Sequence, residues 1–425
     1  MREVDHYAPQ SGDLSFDVES YDLDLDYRVR TNRLQGRAVI NAVATVDTRS
    51  IDLDFVGLRA TRVRIDGDTR TTMQHAPRRL RIIPPQPLVA GAAFSIEVQY
   101  GGAPGPRRSP WGAIGWEELE DGSLVAGQPT GAPTWFPCND RPDDRARYRI
   151  AVTTDEGYRV AATGVPATPQ RVRGRTRWEF TSDVPVATYL AAVHIGRYTE
   201  QELRPARLVH PPALALAVNH AFRDVPRMLG FFEDRFGPYP QEHCTIVVTS
   251  DVLEIPLEAQ GLAVFGANHL GPDSERLIAH ELAHQWFGNS VGIGRWRDIW
   301  LNEGFACYAE WLWSEESGSE SAETLANLYH ARLRRLPRDL VLSDPGPDLM
   351  FDDRVYKRGA LTLHALRNRI GGPAFFAVLR RWVHQHRHGL VNTDDFLHCV
   401  EDVTGTNQSA LLSAWLNQTA LPPLR

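Results

Sequence analysis

Residues 277–305 read LIAHELAHQWFGNSVGIGRWRDIWLNEGF and hold two histidines and a later glutamate that helical geometry would bring together. His280 and His284 are four residues apart, so on a helix both imidazoles lie on one face and reach one point. After eighteen intervening residues, Glu303 lies in a second apolar helical pattern. That interval lets the chain turn and bring a second helix beside the first. A glutamate buried in such a pattern is costly unless it is paired or binds a metal.

Two imidazoles and one carboxylate form a ligand set typical of catalytic zinc, which keeps a fourth position for water. Glu281 is rotated by roughly 100° from His280 on a helix, so it reaches that water without binding the metal. A His-Glu-x-x-His pattern alone also occurs in helices whose histidines only hydrogen-bond into a core. The buried Glu303 favours a metal, and we predict one zinc ion per chain, bound by His280, His284 and Glu303.

The composition is that of a globular protein of two or three domains, because 425 residues exceed a comfortable single domain. A net charge of −7 argues against nucleic acid as a partner. No run of about eighteen apolar residues occurs, and the N-terminus lacks the apolar segment of a secretory signal. Four scattered cysteines without C-x-x-C spacing indicate reduced thiols. These features predict a cytoplasmic protein with no membrane partner.

The two halves of the chain differ in hydrophobic period. Up to about residue 198 apolar residues alternate with polar ones, as in Tyr21–Tyr27, which is typical of half-buried strands. Residues 111–142 lack this alternation and are expected to form a surface segment. The later sequence is mainly helical. Helical patterns cover residues 220–236, 321–336, 356–370, 373–384, 393–403 and 409–415. We predict an α+β protein with an N-terminal β-sandwich domain over 1–203 and a mainly helical domain with a small sheet over 204–425.

Two segments carry a family resemblance. His280–Asn289 (HELAHQWFGN) and Trp300–Ala306 (WLNEGFA) resemble the zinc motifs of the aminopeptidase N family of zinc metallopeptidases, the gluzincins. The resemblance covers both halves of the chain. It implies a saddle-like β domain, a thermolysin-like catalytic domain and the zinc ligands named above, with Glu281 as general base. The chain stops near residues 415–423, so a short form without the family's helical C-terminal domain is expected.

The resemblance also implies the activity. A member of this family is a zinc-dependent aminopeptidase, which hydrolyses the N-terminal peptide bond of peptides by metal-activated water. Its partners are peptides with a free N-terminus. Tyr356–Ala360 (YKRGA) resembles the family's Tyr-x-Lys-Gly-Ala segment, with Arg358 in the lysine's place. Tyr356 then stabilises the oxyanion.

Two further residues are implied as the anchor of the substrate's α-amine. Leu257 and Glu258 resemble the Met-Glu of the family's Gly-Ala-Met-Glu-Asn motif, in which the glutamate binds the amine. Pro256 precedes them and has no backbone N–H to offer a substrate. Phe136–Pro142 (FPCNDRP) resembles a β-domain segment of the family, and counting back from it places Gln128 where the family has a second acidic residue.

Each of these assignments has an alternative. Glu258 could be a solvated carboxylate, Tyr356 a core phenol and Gln128 a packing residue. Glu310 lies seven residues after Glu303 on the same helical face, so it either orients a zinc histidine or is plain surface. Arg354 and Arg358, which flank Tyr356, either bind peptide or are exposed.

The function has alternatives as well. A zinc hydrolase of other specificity, such as an endopeptidase or an epoxide hydrolase, would use the same metal site. A non-catalytic scaffold would keep the fold alone. Glu281 and Tyr356 argue against the scaffold, because a protein without activity has no need of a base beside a metal.

Overall fold

The computed structural model describes residues 3–424, which divide into two compact units. The first unit contains residues up to 202 together with 207–215 and 245–267. The second contains 203–206, 216–244 and the remainder from 268. The first is built mostly from β-sheets and the second from helices, so the predicted α+β class is confirmed.

Three sheets form most of the first unit. Their strands are β1 Phe16–Arg28, β2 Arg33–Ala44, β3 Ile51–Asp54, β4 Arg59–Ile65, β5 Thr72–His75, β6 Arg79–Ile83, β7 Ala93–Gly102, β8 Arg107–Ser109, β9 Gly112–Leu119, β10 Gly122–Ala126, β11 Arg145–Thr154, β12 Arg159–Ala162, β13 Val165–Pro166, β14 Gln170–Val172, β15 Arg175–Ala187 and β16 Val193–Gly196. The largest sheet has the order β13-β15-β11-β1-β2-β7-β4, with β14 also paired to β15. A five-stranded sheet has the order β12-β16-β10-β9-β8, and a three-stranded sheet the order β3-β6-β5.

The alternation predicted for β1 is present in the structure. Tyr21, Leu23 and Leu25 are buried on one face, and the aspartates between them point to the other. Leu23 is opposite Ile150 of the parallel strand β11 and opposite Ala38 of the antiparallel strand β2. β1 is thus a central strand whose apolar side chains contribute to the core.

The expectation of a surface segment over residues 111–142 is wrong. β9 and β10 form an antiparallel hairpin, and nearly every residue from 122 to 142 is buried. The period of two is missing because the segment is covered on more than one face, and apolar residues then need not alternate with polar ones. Trp116 and Trp135, both fully buried, supply much of this packing.

A further five-stranded sheet consists of β17 Thr199–Leu203, β18 Ala206–His210, β19 Cys244–Val248, β20 Leu257–Ala259 and β21 Leu262–Phe265, in the order β17-β18-β19-β21-β20. β19 and β21 run parallel, and β20 pairs antiparallel to β21. This sheet is the small one that the sequence predicted.

Nine described helices follow in chain order: α1 Ala215–Ala221, α2 Val225–Phe236, α3 Glu275–Ala283, α4 Trp300–Glu316, α5 Ala322–Leu333, α6 Asp353–Ile370, α7 Gly372–Gln385, α8 Thr393–Thr404 and α9 Ser409–Leu416. A two-stranded sheet pairs β22 Gly292–Ile293 with β23 Leu390–Val391. The pattern over 220–236 is interrupted after α1, and α2 begins just before Pro226, which suits a first helical turn because it lacks an N–H. Within residues 3–424 no helix has the length and hydropathy needed to cross a bilayer.

Candidate active site

α3 and α4 of the helical unit bring together the three predicted metal ligands. His280 and His284 lie one turn apart at the end of α3, with ring centroids 4.7 Å apart. Glu303 lies in the first turn of α4. Its Oε2 is 3.5 Å from Nε2 of His280 and 3.4 Å from Nε2 of His284. All three side chains are buried, with exposed fractions of 2–7%.

These distances fit a tetrahedral cation site. Zinc–nitrogen and zinc–oxygen bonds of about 2.0–2.2 Å place neighbouring ligands roughly 3.3–3.5 Å apart on the edges of a tetrahedron. The separations of Glu303 from the two imidazole nitrogens are of this size. Nitrogen and carboxylate donors are also the types that zinc prefers. The residues present therefore fit the predicted metal.

Each histidine is held through its other ring nitrogen. Nδ1 of His280 is 2.8 Å from Oε1 of Glu310, and Nδ1 of His284 is 3.0 Å from the carbonyl oxygen of Phe287. With Nε2 facing the metal position, Nδ1 carries the hydrogen and donates to these oxygens. Glu310 is 5% exposed, so it is the buried residue that orients His280 and not a surface residue.

The charges of this cluster favour a bound cation. Burial disfavours a charged His280, but hydrogen bonds with Glu303 and Glu310 outweigh it and raise the pKa of His280 to about 10. Burial also disfavours a charged Glu303, but the two histidines lower the pKa of that carboxyl to about 2. Without a metal, a proton on His280 thus lies between the anionic carboxylates of Glu303 and Glu310. A metal that binds these ligands displaces such a proton.

Glu281 is buried beside this cluster. It follows His280 on α3, has 4% of its surface exposed, and offers a carboxylate oxygen within 4.8 Å of a ring nitrogen of His284. A carboxylate at this distance from the ligands can act on a molecule held there without itself completing the ligand set.

Tyr356 lies against the same cluster. It is part of the first turns of α6, is half-buried, and stacks on His280 with ring centroids 6.0 Å apart and an interplanar angle of 22°. The phenol is therefore next to a predicted metal ligand and not in the interior of the core.

Two glycines set the separation of α4 and α6. A Cβ on Gly304 would lie 2.8 Å from Cα of Gly359, and a Cβ on Gly359 would lie 2.6 Å from Cα of Gly304. Side chains at these positions would collide with backbone, so the helices cross in direct contact. Since Glu303 precedes one glycine and Tyr356 lies one turn before the other, this crossing fixes the carboxylate relative to the phenol. No local sequence pattern points to this role of the glycines.

The arginines that flank Tyr356 are not the exposed residues of one of the two alternatives given for them. Arg358 is 4% exposed, and its guanidinium donates to backbone carbonyls near the C-terminus, among them those of Trp415 at 2.8 Å and Thr419 at 3.2 Å. Arg354 donates to the carboxylates of Asp352 and Asp339. Both guanidinium groups bond within the protein and fasten α6 to neighbouring segments.

Glu258 and Gln128, the residues expected to bind the amine, both belong to the first unit. Glu258 is half-buried in β20, opposite Ala263 of β21. The segments that carry them adjoin one 3₁₀ turn, Thr188–Leu190. Gln260 N donates to the carbonyl of Leu190, and a Cβ on Gly127 would lie 2.4 Å from the carbonyl oxygen of Tyr189. The amide nitrogen of Gln128 is buried without a hydrogen-bond partner among residues 3–424.

Family models match both parts of the chain. The Peptidase M1 N-terminal domain matches residues 17–190, and the Peptidase family M1 domain matches residues 220–415. Among curated proteins, glutamyl aminopeptidase of Bitis rhinoceros is 29% identical over 70% of this chain and 34% of its own length. Leucyl aminopeptidase of Saccharolobus solfataricus is 24% identical over 96% of this chain and 54% of its own. The chain thus spans about a third to a half of these relatives.

Solved structures match over the full chain. An M1 zinc metallopeptidase from Deinococcus radiodurans has a TM-score of 0.89 and 31% identity, covering 100% of this chain and 99% of its own. A mutant of that enzyme bound to a Tyr-Ser-Ala substrate has a TM-score of 0.88 and 31% identity, covering 98% of this chain and 97% of its own.

Proposed function

The chain belongs to peptidase family M1, and from this premise we propose that it is a zinc-dependent aminopeptidase acting on peptides with a free N-terminus. Membership confirms the resemblance to the aminopeptidase N family. The observation that carries the proposal is the convergence of His280, His284 and Glu303, at distances of 3.4–3.5 Å, beside the buried base Glu281.

The residues take the following roles in the proposal. One bound zinc supplies a Lewis acid that polarises a peptide carbonyl and acidifies water. Glu281 takes the proton of the attacking water and passes it to the leaving amine. The Tyr356 phenol donates a hydrogen bond to the oxyanion, an effect worth roughly 3 kcal/mol at comparable sites.

Glu258, assisted by Gln128, holds the protonated α-amine of the substrate. An anchor for that amine would restrict cleavage to the first peptide bond, which separates an aminopeptidase from an endopeptidase. One support is the likeness of Leu257-Glu258 to the family's amine-binding motif. The other is that the segments of Glu258 and Gln128 both lie beside the 3₁₀ turn Thr188–Leu190.

We further propose a β domain over 1–203, a catalytic domain over 204–425 and a cytoplasmic location. The four cysteines support this location, because all are free and buried, as in proteins of reducing compartments.

The first experiment measures metal content together with hydrolysis of aminoacyl fluorogenic amides and their N-acetylated counterparts, before and after chelation. We expect about one zinc per chain and chelator-sensitive release from the free-amine substrates. Bound zinc with hydrolysis of N-acetylated substrates alone would contradict the aminopeptidase assignment.

A variant tests the amine anchor separately. Glu258→Ala is expected to lower the ratio of kcat/KM for free-amine over N-acetylated substrates at least about tenfold, since a lost ion pair to a buried charge costs more than 1.4 kcal/mol. Glu254→Ala, an exposed glutamate in the preceding loop, is the matched control and should leave the ratio unchanged. An unchanged ratio in Glu258→Ala would remove the anchor role.

A further inference from the structure

Lys357 is unusual in both composition and location. It is the only lysine among 46 lysine and arginine residues. Lysine is normally exposed, yet Lys357 is 6% exposed, in α6 beside Tyr356. A chain that otherwise uses arginine at every basic position has a lysine in the interior of its helical unit.

The ammonium of Lys357 has three neighbours of different character. Nζ is 3.2 Å from Sγ of Cys307, 3.9 Å from Oε2 of Glu310, and 4.9 Å from the ring centroid of Tyr329. Charges interact more strongly in the interior than in water. Of the three, Glu310 is the neighbour with a full negative charge, because burial raises the pKa of the Cys307 thiol to about 12.

Glu310 connects this lysine to the metal ligands. Its Oε1 accepts from His280 at 2.8 Å, while its Oε2 faces two cations, Lys357 and Arg276. Nη1 of Arg276 is 3.5 Å from Oε2, but 55% of the Arg276 side chain is exposed, against 8% for Lys357. Solvent screens the arginine and not the lysine. In agreement, the charge of Lys357 is the largest influence that opposes burial and lowers the pKa of Glu310.

We propose that Lys357 is a positioning residue of the zinc site, whose buried ammonium holds Glu310 in the orientation that accepts the Nδ1 hydrogen of His280. Through Glu310 it directs Nε2 of His280 toward the metal. The inference rests on the proposed zinc site and adds to it a residue that acts on the ion through Glu310 and His280.

The geometry explains why lysine serves here in place of arginine. A compact ammonium with three donors can be shared by a carboxylate, a thiol and an aromatic face. The planar guanidinium of arginine favours bidentate pairing with both oxygens of a carboxylate. Such pairing would compete for Oε1 of Glu310, which His280 uses.

The test is the zinc affinity of metal-free protein, measured by competition with a chromophoric chelator. Lys357→Met is expected to weaken zinc binding about tenfold, at the lower end of the effect of partners outside the ligand set. Arg276→Met is the matched control, because it removes the exposed cation from the same oxygen, and should change affinity less than threefold. Lys357→Gln, polar and uncharged, is expected to behave like Lys357→Met and serves if the methionine variant does not fold.

A double-variant cycle distinguishes positioning from packing. In a Glu310→Gln background the further change Lys357→Met should have almost no effect on zinc affinity, because the residue through which Lys357 acts is already altered. Equal affinities in wild type and Lys357→Met, or the same loss in both backgrounds, would overturn the proposal. Wild-type protein without chelator-sensitive zinc would instead overturn the zinc site and the lysine's role with it.

Discussion

Three buried glutamates of the helical unit lie close together but face different groups. Glu303 faces the Nε2 atoms of both histidines, and Glu310 accepts from Nδ1 of His280. Glu281 lies beside His284 without belonging to the three-residue ligand cluster. In the proposed site the same side chain type thus takes the roles of ligand, orienting residue and base, according to the atom that it meets.

The base assignment predicts a separation of binding from catalysis. Glu281→Gln keeps the shape of the side chain but cannot take a proton, so turnover should fall by about 10²–10⁴. Zinc content should stay at about one per chain, because Glu281 is not among the ligands. Steady-state hydrolysis and elemental analysis check both results. Glu303→Gln is the comparison and should lose zinc as well as activity, whereas unchanged turnover in Glu281→Gln would refute the base.

Asp144 is expected to make the stability of the first unit depend on pH. It is buried and accepts hydrogen bonds from Val18 N at 3.0 Å and from Asn139 Nδ2 at 2.6 Å. Burial raises the pKa of Asp144 from 3.8 to about 7. The Asp144 carboxyl therefore stays protonated to a higher pH in the folded protein than in the unfolded chain. The free energy of unfolding consequently falls as pH rises from about 4 to 7.

Asp144→Asn removes that titration. Between pH 5 and 8 the free energy of unfolding of wild type should fall by about 2–3 kcal/mol relative to the variant. Urea unfolding at pH 5, 6, 7 and 8 measures the difference. Asp183→Asn, at an exposed position, controls for the loss of one surface charge. A difference between wild type and Asp144→Asn that does not change with pH would contradict the prediction.

The meeting of His280 and His284 could be predicted from sequence because helical spacing alone places them on one face. The partners of Glu310 could not. Lys357 and Arg276 reach it from α6 and α3, so their contacts depend on how three helices pack and not on any local pattern. The only sequence feature that pointed to Lys357 was its being the single lysine of the chain.

At the scale of elements, sequence patterns located the helices well and the buried hairpin poorly. The helical pattern over 393–403 corresponds to α8, Thr393–Thr404, because the apolar face of that helix covers a core. β10 has no such contrast between faces, since all five of its residues are buried. Hydrophobic periodicity arises where one face of an element meets the core and the other meets solvent. It disappears where both faces are buried.

Because α4 and α6 cross in direct contact, stability and activity should depend strongly on the size of the residue at the crossing. Gly359→Ala would place a methyl group 2.6 Å from Cα of Gly304, so the helices must separate. We expect a loss of about 1–3 kcal/mol in stability from overpacking and at least about tenfold in kcat, because Tyr356 moves relative to the ligands. Thermal unfolding and steady-state kinetics measure these effects.

Gly230 in α2 is the matched control, since a Cβ there would meet nothing within 4 Å. Gly230→Ala should stabilise the protein by about 0.5–1 kcal/mol, the usual gain from alanine over glycine inside a helix, and leave kcat unaltered. If Gly359→Ala behaves like Gly230→Ala, direct helix contact does not set the geometry of the site.

At the scale of the whole molecule, the proposed metal ligands all belong to one unit. His280, His284 and Glu303 come from α3, the residue after it and α4, and all three belong to the helical unit. A cation bound by ligands from both helices would add to the hydrogen bonds that already join α3 and α4. Metal binding should accordingly stabilise the helical unit in particular.

Zinc removal is therefore expected to lower the thermal midpoint of that unit. A ligand at 1,000 times its dissociation constant stabilises the folded state by about 4 kcal/mol. For a unit of this size, that energy corresponds to a shift of about 10 °C. Tryptophan fluorescence during heating, with and without chelator, reports the transition, because seven of the eleven tryptophans lie in the helical unit. Glu303→Ala should show the lower midpoint in both conditions. A wild-type midpoint that chelation leaves unchanged would mean that the cluster is held by its own hydrogen bonds and ion pairs and needs no cation to keep α3 and α4 together.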